Sequence, residues 1–520
     1  MRVSLAALAA LSPLVAAAPL SKRLNNAASC LSAAGLSPVT SSSSSFNDDS
    51  AAYNQRLQPV PSLIFYPSSP SEISTALSCA SSSSTPVSAR GGGHSYASYS
   101  LGGDDGAFVV DLGNFRNITV DGEGVARIGG GNRLGDIYLS LNEQGGWAMA
   151  AGTCPGVGIG GHAGFGGFGL PSRMWGFASD QVVGYDVVLA NGTYFTNVTR
   201  SSSPDLFWGL NGAAPNFGIV TSYYLQAHRA PANAVIFSYT YSSPSTVIAA
   251  TALNSVQAFG NLSQPANLGI ITNVGRDSVE ITGVWYGPRG EFDQVIQGLT
   301  DDLPPSFKSD VHETDWIGSA KELAGDDLDT QGKMLQSRDS FYAKSLMTPS
   351  TIPIDVSVFE SFLDYLWNDT NSGDTNWFVQ MDIYGGQYSA INVVSLNESS
   401  FGHRDKLLNW QLYASSSTYG NPYPDKGVTF VQGMFDTLVN GMTSASPGWS
   451  TNSSSPDGYG AYVNYVDPNL SFEDVKNLYW GSQYDRLSAL KAQYDPDEVL
   501  RNPQSIRPAN SSSSSSGARC

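Results

Sequence analysis

Gly152-Thr153-Cys154-Pro155-Gly156-Val157-Gly158-Ile159-Gly160-Gly161-His162-Ala163-Gly164-Phe165-Gly166-Gly167-Phe168-Gly169 is the stretch whose reading decides the fold. Gly156, Gly158 and Gly161 satisfy G-x-G-x-x-G in form. A dinucleotide-binding Rossmann unit needs those glycines between a strand and an amphipathic helix. Here Gly164, Gly166, Gly167 and Gly169 follow instead, and glycine cannot sustain a helix. The Rossmann reading is rejected. A long flat loop laid over a planar ligand is expected in its place.

Working outward, a second glycine run stands upstream: Arg90-Gly91-Gly92-Gly93-His94-Ser95-Tyr96. It closes a β-α-β opening, with strands expected at 62–66 and 86–89 and a helix at 71–80 with Ser71 as N-cap. Three successive glycines let backbone N–H groups converge on an anion such as a pyrophosphate. A plain glycine-rich turn is the alternative, and His94 weighs against it. Further strands are expected at 108–112 and 125–128, a hairpin at 182–189 and 194–198 around Asn191-Gly192, and a half-buried strand at 217–225.

From about 231 to 470 the glycine loops cease and exposed-looking Trp and Tyr gather, with helices expected at 245–259 and 358–367 and strands at 279–286 and 377–384. This segment reads as a second, α+β domain inserted before a C-terminal return at 471–508. Alternation along 377–384 sends Val379, Met381 and Ile383 to one face and Phe378, Gln380, Asp382 and Tyr384 to the other. That polar and aromatic face suits a carbohydrate or plain solvent. Read as a strand, 459–467 puts Tyr462 and Asn464 on one face and Tyr465 opposite.

The chain has 520 residues, 41% of them hydrophobic, enough for a sizeable core. At roughly 100–200 residues per domain, two or three domains are expected. With 27 Lys+Arg against 45 Asp+Glu and a net charge of −18, nucleic acid is a poor partner, because duplex binding needs a positive patch. An anionic membrane surface is disfavoured likewise. Residues 1–18 read as a signal peptide: Arg2, an apolar run, then Ala16-Ala17-Ala18 as cleavage site. A secreted, extracellular protein without a membrane anchor is expected. N-x-S/T sequons stand at Asn117, Asn191, Asn197, Asn261, Asn368, Asn397, Asn452, Asn469 and Asn510. Cys30 and Cys79 are able to pair in an oxidising compartment. Cys154, flanked by glycines, and Cys520, ending a disordered Ser-rich tail at 509–520, are left over.

Other chemistries fare worse. His94, Cys154 and His162 lack the C-x-x-C or H-x-x-x-H pairing of a zinc site, so no metal is assigned. No G-x-S-x-G elbow supports a serine hydrolase. A two-carboxylate glycoside hydrolase stays open on residues alone.

RGGGHS at 90–95 and GTCPGVGIGGH at 152–162 together resemble the secreted flavin-linked oxidases of the berberine-bridge-enzyme-like group. WGLNGAAPNFGIVT at 208–221, YVNYVD at 462–467 and YDPDEVLRNPQSI at 494–506 extend the resemblance over about 30–506. It implies an α+β, two-domain, PCMH-type (vanillyl-alcohol-oxidase-like) FAD fold: an FAD-binding domain at 24–230 and an antiparallel-sheet substrate domain at 231–470. It implies bicovalent FAD, 8α-histidyl through His94 and 6-S-cysteinyl through Cys154. Arg90, Gly91, Gly92, Gly93, Ser95, Tyr96, Thr153, Gly158, Gly161, His162, Gly218, Ile219, Val220, Asn464 and Tyr465 are implied to contact the cofactor. Cys30 and Cys79 match the family's N-terminal disulfide in placement.

The fungal bicovalent members it resembles oxidise the reducing-end C1 hydroxyl of oligosaccharides, with O₂ or another electron acceptor. By that resemblance Tyr462 is the base, with Tyr459 the competing candidate. Asp382 is implied to lower the Tyr462 pKa through a hydrogen bond, and Tyr96, Gln380 and Tyr384 to shape the sugar site. A monomer is expected. The alternatives are an oxidase of an aromatic or alkaloid metabolite and a carbohydrate-binding protein without turnover.

Overall fold

The β-α-β opening forms from β1 (Leu63–Phe65), a helix at Pro70–Ser82 and β2 (Val87–Arg90), with β3 (Phe108–Asp111) between the strands in a parallel sheet ordered β1-β3-β2. This computed structural model describes residues 20–325, 327–331, 338–418 and 420–509. The expected signal peptide, Asn510 and Cys520 lie outside them. The helix is capped by Ser69, not by Ser71 as expected: Ser69 Oγ accepts the Glu72 N–H at 3.3 Å. Pro70 takes the first helical position, where its missing N–H and fixed φ cost nothing, so the cap falls one residue before it. A disulfide between Cys30 and Cys79 ties this helix to α1 (Leu20–Ala33), with Cα atoms 5.6 Å apart.

A second sheet joins β4 (Ile118–Val120), β5 (Val125–Gly129), β6 (Val182–Leu189), β7 (Tyr194–Val198) and β8 (Gly218–Gln226) in the order β4-β5-β8-β6-β7. The β6–β7 hairpin turns at Asn191-Gly192, with Gly192 at φ +81°. Expected to be half-buried, β8 is instead buried along most of its length. It is central, and both its faces are covered: Ile219 packs with the α-helical layer containing Ile73 and Ala76, while Val220 and Leu225 enter the main core.

The third sheet is antiparallel and seven-stranded. Its strands are β9 (Ala234–Ser242), β10 (Leu268–Val274), β11 (Ser278–Trp285), β12 (Lys308–Thr314), β13 (Phe341–Pro349), β14 (Thr375–Ile383) and β15 (Lys406–Ser416), ordered β12-β9-β11-β10-β14-β15-β13. Helices at Thr246–Leu262, Val356–Leu366 and Asp425–Ala445 form a layer with this sheet. Val379, Met381 and Ile383 of β14 are wholly buried in the main core beside helix residues Phe362 and Met434, whereas Phe378 and Gln380 on the other face are half-buried. The expected alternation is observed.

Three local expectations fail, each for a tertiary reason. The glycine stretch contains a short helix, Ile159–Gly164, because Ile159, His162, Ala163 and Gly164 are buried against the core and packing outweighs propensity. Residues 459–467 are not a strand: the Tyr465 N–H bonds the Tyr462 carbonyl at 2.9 Å and closes a turn, placing both rings toward one cavity. The Trp residues of 231–470 are not exposed; Trp285, Trp316, Trp377 and Trp410 are all buried, and Trp367 and Trp449 are half-buried. Of the eight described sequons seven have exposed Asn; Asn261 is half-buried and donates Nδ2 to the Ser350 carbonyl at 3.2 Å.

Buried charge stitches the two domains together. Arg173 is wholly buried and donates to the carbonyls of Gly385 and, at 2.9 Å, Gln264. Arg404 makes a two-pronged pair with Asp180 at 2.6 Å on both arms. No helix among the described residues is long and apolar enough to cross a membrane.

Candidate active site

Between the domains lies a cavity of about 480 Å³. One wall is made of the two glycine loops. Gly93 adopts φ +73°, a conformation that glycine reaches without steric cost. A Cβ on Gly92 would lie 2.3 Å from the Gly158 nitrogen, so the two loops meet backbone to backbone. Arg133, buried at the start of helix Leu134–Glu143, donates Nη1 to the carbonyls of both Gly92 (2.6 Å) and Gly156 (2.5 Å) and so ties the loops to each other. The Gly152 N–H donates to His162 Nε2 at 3.1 Å, which requires that nitrogen to be unprotonated. Burial agrees, pushing His162 down to about 4.

The other wall comes from β14 and β15. Their register pairs Phe378 with Tyr413, Gln380 with Gln411 and Asp382 with Asn409. Phe378 stacks on Tyr413 at 4.7 Å between centroids, and Gln411 Nε2 donates to the Tyr96 hydroxyl at 2.7 Å. Asp382 is wholly buried and accepts from Gln380 Nε2 at 2.7 Å and Asn409 Nδ2 at 3.2 Å. Loss of hydration raises its pKa from 3.8 to about 7 against those two hydrogen bonds.

Two tyrosines of the turn differ in their hydroxyls. The Tyr462 oxygen accepts the Phe168 N–H at 3.0 Å and Asn464 Nδ2 at 2.9 Å. Burial raises its pKa, and these donors oppose the rise. The expected Asp382–Tyr462 hydrogen bond is not formed, and its expected effect has the wrong sign: a carboxylate nearby disfavours a phenolate and raises the tyrosine. Tyr465 lies beside Tyr96, with rings 6.0 Å apart and nearly parallel. Its hydroxyl makes no hydrogen bond among the described residues. Burial pushes Tyr465 well up, and Asp382 is the largest charge acting on it.

Of the residues expected from sequence, Gly91, Gly92, Gly93, His94, Ser95, Tyr96, Thr153, Cys154, Gly158, Gly161, His162, Gly218, Val220, Gln380, Tyr462, Asn464 and Tyr465 line this cavity. Arg90, Ile219, Asp382, Tyr384 and Tyr459 do not. Arg90 turns away to pair with Asp111 and Tyr66. Ile219 belongs to the core on the far side of β8. Tyr384 is wholly buried and donates its hydroxyl to the His403 carbonyl at 2.5 Å. Tyr459 stacks on Trp449. Sequence reasoning missed Tyr53, Arg133, Gln411, Tyr413 and the C-terminal Arg501 and Gln504. Only the last two had a signal, lying inside the 494–506 motif.

Known proteins share this architecture. Residues 61–197 match the family described as FAD binding domain, and 461–507 the one described as berberine and berberine like. The chitooligosaccharide oxidase of Gibberella zeae is 32% identical over 92% of this chain and 94% of its own length. The chain belongs to the berberine-bridge-enzyme-like FAD-linked oxidoreductases. A solved chitooligosaccharide oxidase of this family superposes with a TM-score of 0.85, covering 94% of this chain and 99% of its own. The FAD-linked oxidoreductase dpmaF of Metarhizium anisopliae is 33% identical over 93% of this chain and 91% of its length. A solved glucooligosaccharide oxidase from Acremonium strictum, with a 6-S-cysteinyl, 8α-N1-histidyl FAD, is 31% identical with a TM-score of 0.84, covering 93% of this chain and 99% of its own.

The residues present fit FAD. The glycine loops offer bare backbone where a Cβ would fill the contact between them, a wall against which a flat ring system and a pyrophosphate can lie. His94 and Cys154, one from each loop, open into the same cavity.

Proposed function

We propose that this protein is a secreted, bicovalently flavinylated oligosaccharide oxidase acting on the reducing-end C1 hydroxyl, with a lactone as product and dioxygen reduced to H₂O₂. The observation that carries the saccharide assignment is a polar row across the seven-stranded sheet. Gln411, Gln380, Asn273, Glu280 and Thr240 are directly paired on β15, β14, β10, β11 and β9. Directly opposed residues share a sheet face, and all but Gln411 are half-buried. At about 4.8 Å between strands the row spans about 19 Å. Amides, a carboxylate and a hydroxyl at that repeat match the hydroxyls of a chain of sugars better than one small aromatic ring. Phe378, stacked on Tyr413, offers an apolar platform for a sugar face at the cavity end.

FAD, when bound, supplies the two-electron acceptor. His94 and Cys154 hold it, because imidazole and thiolate are the nucleophiles that two covalent links require. We assign the base to Tyr465 rather than Tyr462. A base needs an oxygen open to the substrate, and the Tyr462 oxygen already accepts two hydrogen bonds. Tyr465 is itself protonated at neutral pH, so it takes a proton only by giving one up. The charge of Asp382 raises the Tyr465 pKa, so Asp382 assists only as the acceptor of that proton, a role open to it once it is ionised, above about 7. Gln380 and Gln411 orient the sugar, and Gln411 fixes Tyr96. Secretion is supported by the Cys30–Cys79 disulfide, a feature of oxidising compartments.

The competing substrate class is an aromatic or alkaloid metabolite, and the berberine-like match over 461–507 is the observation that favours it. A panel of cello-, xylo-, malto- and chito-oligosaccharides, read for H₂O₂ and dye reduction together, separates the two. Turnover of at least one is expected, and silence in both assays overturns the sugar assignment.

A further inference from the structure

His94 has a neighbour that no motif announces. Tyr53, in the segment before β1, stacks on the His94 ring with centroids 3.8 Å apart and planes 28° from parallel. Tyr53 also lines the cavity and makes an edge contact with Phe341 at 5.7 Å. Its place is fixed by the residues that follow. Asn54 is 1% exposed and donates Nδ2 to the carbonyls of Tyr96 (2.7 Å) and Phe341 (3.1 Å), while its Oδ1 accepts the Phe341 N–H at 3.3 Å. The Gln55 N–H bonds the Asp339 carbonyl at 2.8 Å. Arg56 Nε donates to the Phe341 carbonyl at 2.9 Å, and the guanidinium lies 5.0 Å from the Tyr342 ring centre. Residues 53–56 therefore form a strap from the His94 loop to the start of β13 in the other domain. Tyr53, His94 and Cys154 line the same cavity.

An imidazole turns about χ2 through broad, roughly two-fold wells. Covalent attachment needs one ring nitrogen, not a ring face, to meet the flavin edge, and near-attack geometry governs such steps. We propose that Tyr53 is the positioning residue for flavin attachment at His94, its ring holding the imidazole plane and its strap holding the ring. The inference rests on the bicovalent reading above. In the step, the imidazole N–H and one 8α C–H break and an N–C bond forms. The two hydrogens and their electron pair leave to dioxygen as H₂O₂.

The test isolates the His94 link by working in Cys154→Ala, where acid-stable flavin reports that link alone. Tyr53→Leu, Tyr53→Met and Tyr53→Phe are added to it. The rate at which acid-precipitated protein gains flavin is followed after FAD is supplied, beside total FAD bound and the thermal midpoint. Loss of the ring is expected to slow attachment about fivefold, the scale of one aromatic pair, with non-covalent FAD binding kept. Tyr53→Phe, which keeps the ring, is expected to match the parent. If Tyr53→Leu is not recovered folded, Tyr53→Met decides by the same measurement. Parental rates in the folded Leu or Met variant, or a Phe variant as slow as they are, overturn the proposal. A Cys154→Ala parent with no acid-stable flavin overturns the bicovalent reading instead, and the two failures are distinct.

Discussion

One wall of the cavity is made of backbone and the other of side chains. The FAD-binding domain presents two glycine loops that touch main chain to main chain, clasped by the single nitrogen of Arg133. The substrate domain presents paired side chains on two strands, Phe378 with Tyr413 and Gln380 with Gln411. A backbone wall tolerates no added atoms but asks for no special chemistry beyond its two nucleophiles. A side-chain wall can be rewritten residue by residue, and on the proposed reading substrate preference is set there.

The largest expected effect tests the backbone wall. His94→Ala with Cys154→Ala leaves no acid-stable flavin, and each single variant leaves one link, read by absorbance and mass of the denatured protein. Acid-stable flavin in the double variant would move the attachment points elsewhere. Next come the two tyrosines. Tyr465→Phe lowers kcat by about 10²- to 10⁴-fold with flavin retained. Tyr462→Phe instead strands the buried Phe168 N–H and costs about 1–3 kcal/mol of stability, with a smaller loss of kcat. The reverse ranking in kcat would return the base to Tyr462.

Asp382 gives a third test through pH. In the unfolded chain it ionises near 3.8, in the fold only near 7. The fold thus binds a proton that the unfolded chain lacks, and stability falls as pH rises between those values, levelling off above about 7. Asp382→Asn removes that loss, worth up to about 4 kcal/mol. Its melting midpoint is expected to exceed the parent's in mild alkali and to converge on it in acid. The kcat/KM profile should also lose its rising limb near 7. The smallest effect lies farther along the sheet. Asn273→Leu, two strands from Gln411 in the polar row, is expected to lower kcat/KM a few-fold for long oligosaccharides and hardly at all for a monosaccharide.

The same contrast explains what the sequence could convey. Glycine runs are local and have few explanations, so 90–96 and 152–162 pointed to FAD and to one wall of the site. Alternation in 377–384 found Phe378 and Gln380, because a strand's faces follow from chain order alone. It also swept in Tyr384, since nothing local says where the open face ends and the His403 carbonyl begins. Gln411 and Tyr413 were invisible because their meaning depends on register with β14, about thirty residues away. Arg133 and Tyr53 act through carbonyls and ring faces supplied by distant segments, and neither leaves a pattern. The Tyr462–Tyr465 turn was misread because a hydrogen-bonded turn breaks the two-residue period on which the reading depended.

Arg173 and Arg404 bear on how the enzyme cycles. Each guanidinium sits across the domain boundary, its hydration replaced by the Gly385 and Gln264 carbonyls or by the Asp180 carboxylate. Parting the domains while these ions stayed dry would leave them uncompensated, at several kcal/mol apiece. The molecule works as a fixed vice rather than a clam. On the proposed reading substrate enters and product leaves along the sheet face, and turnover should be indifferent to solvent viscosity beyond simple diffusion of the substrate.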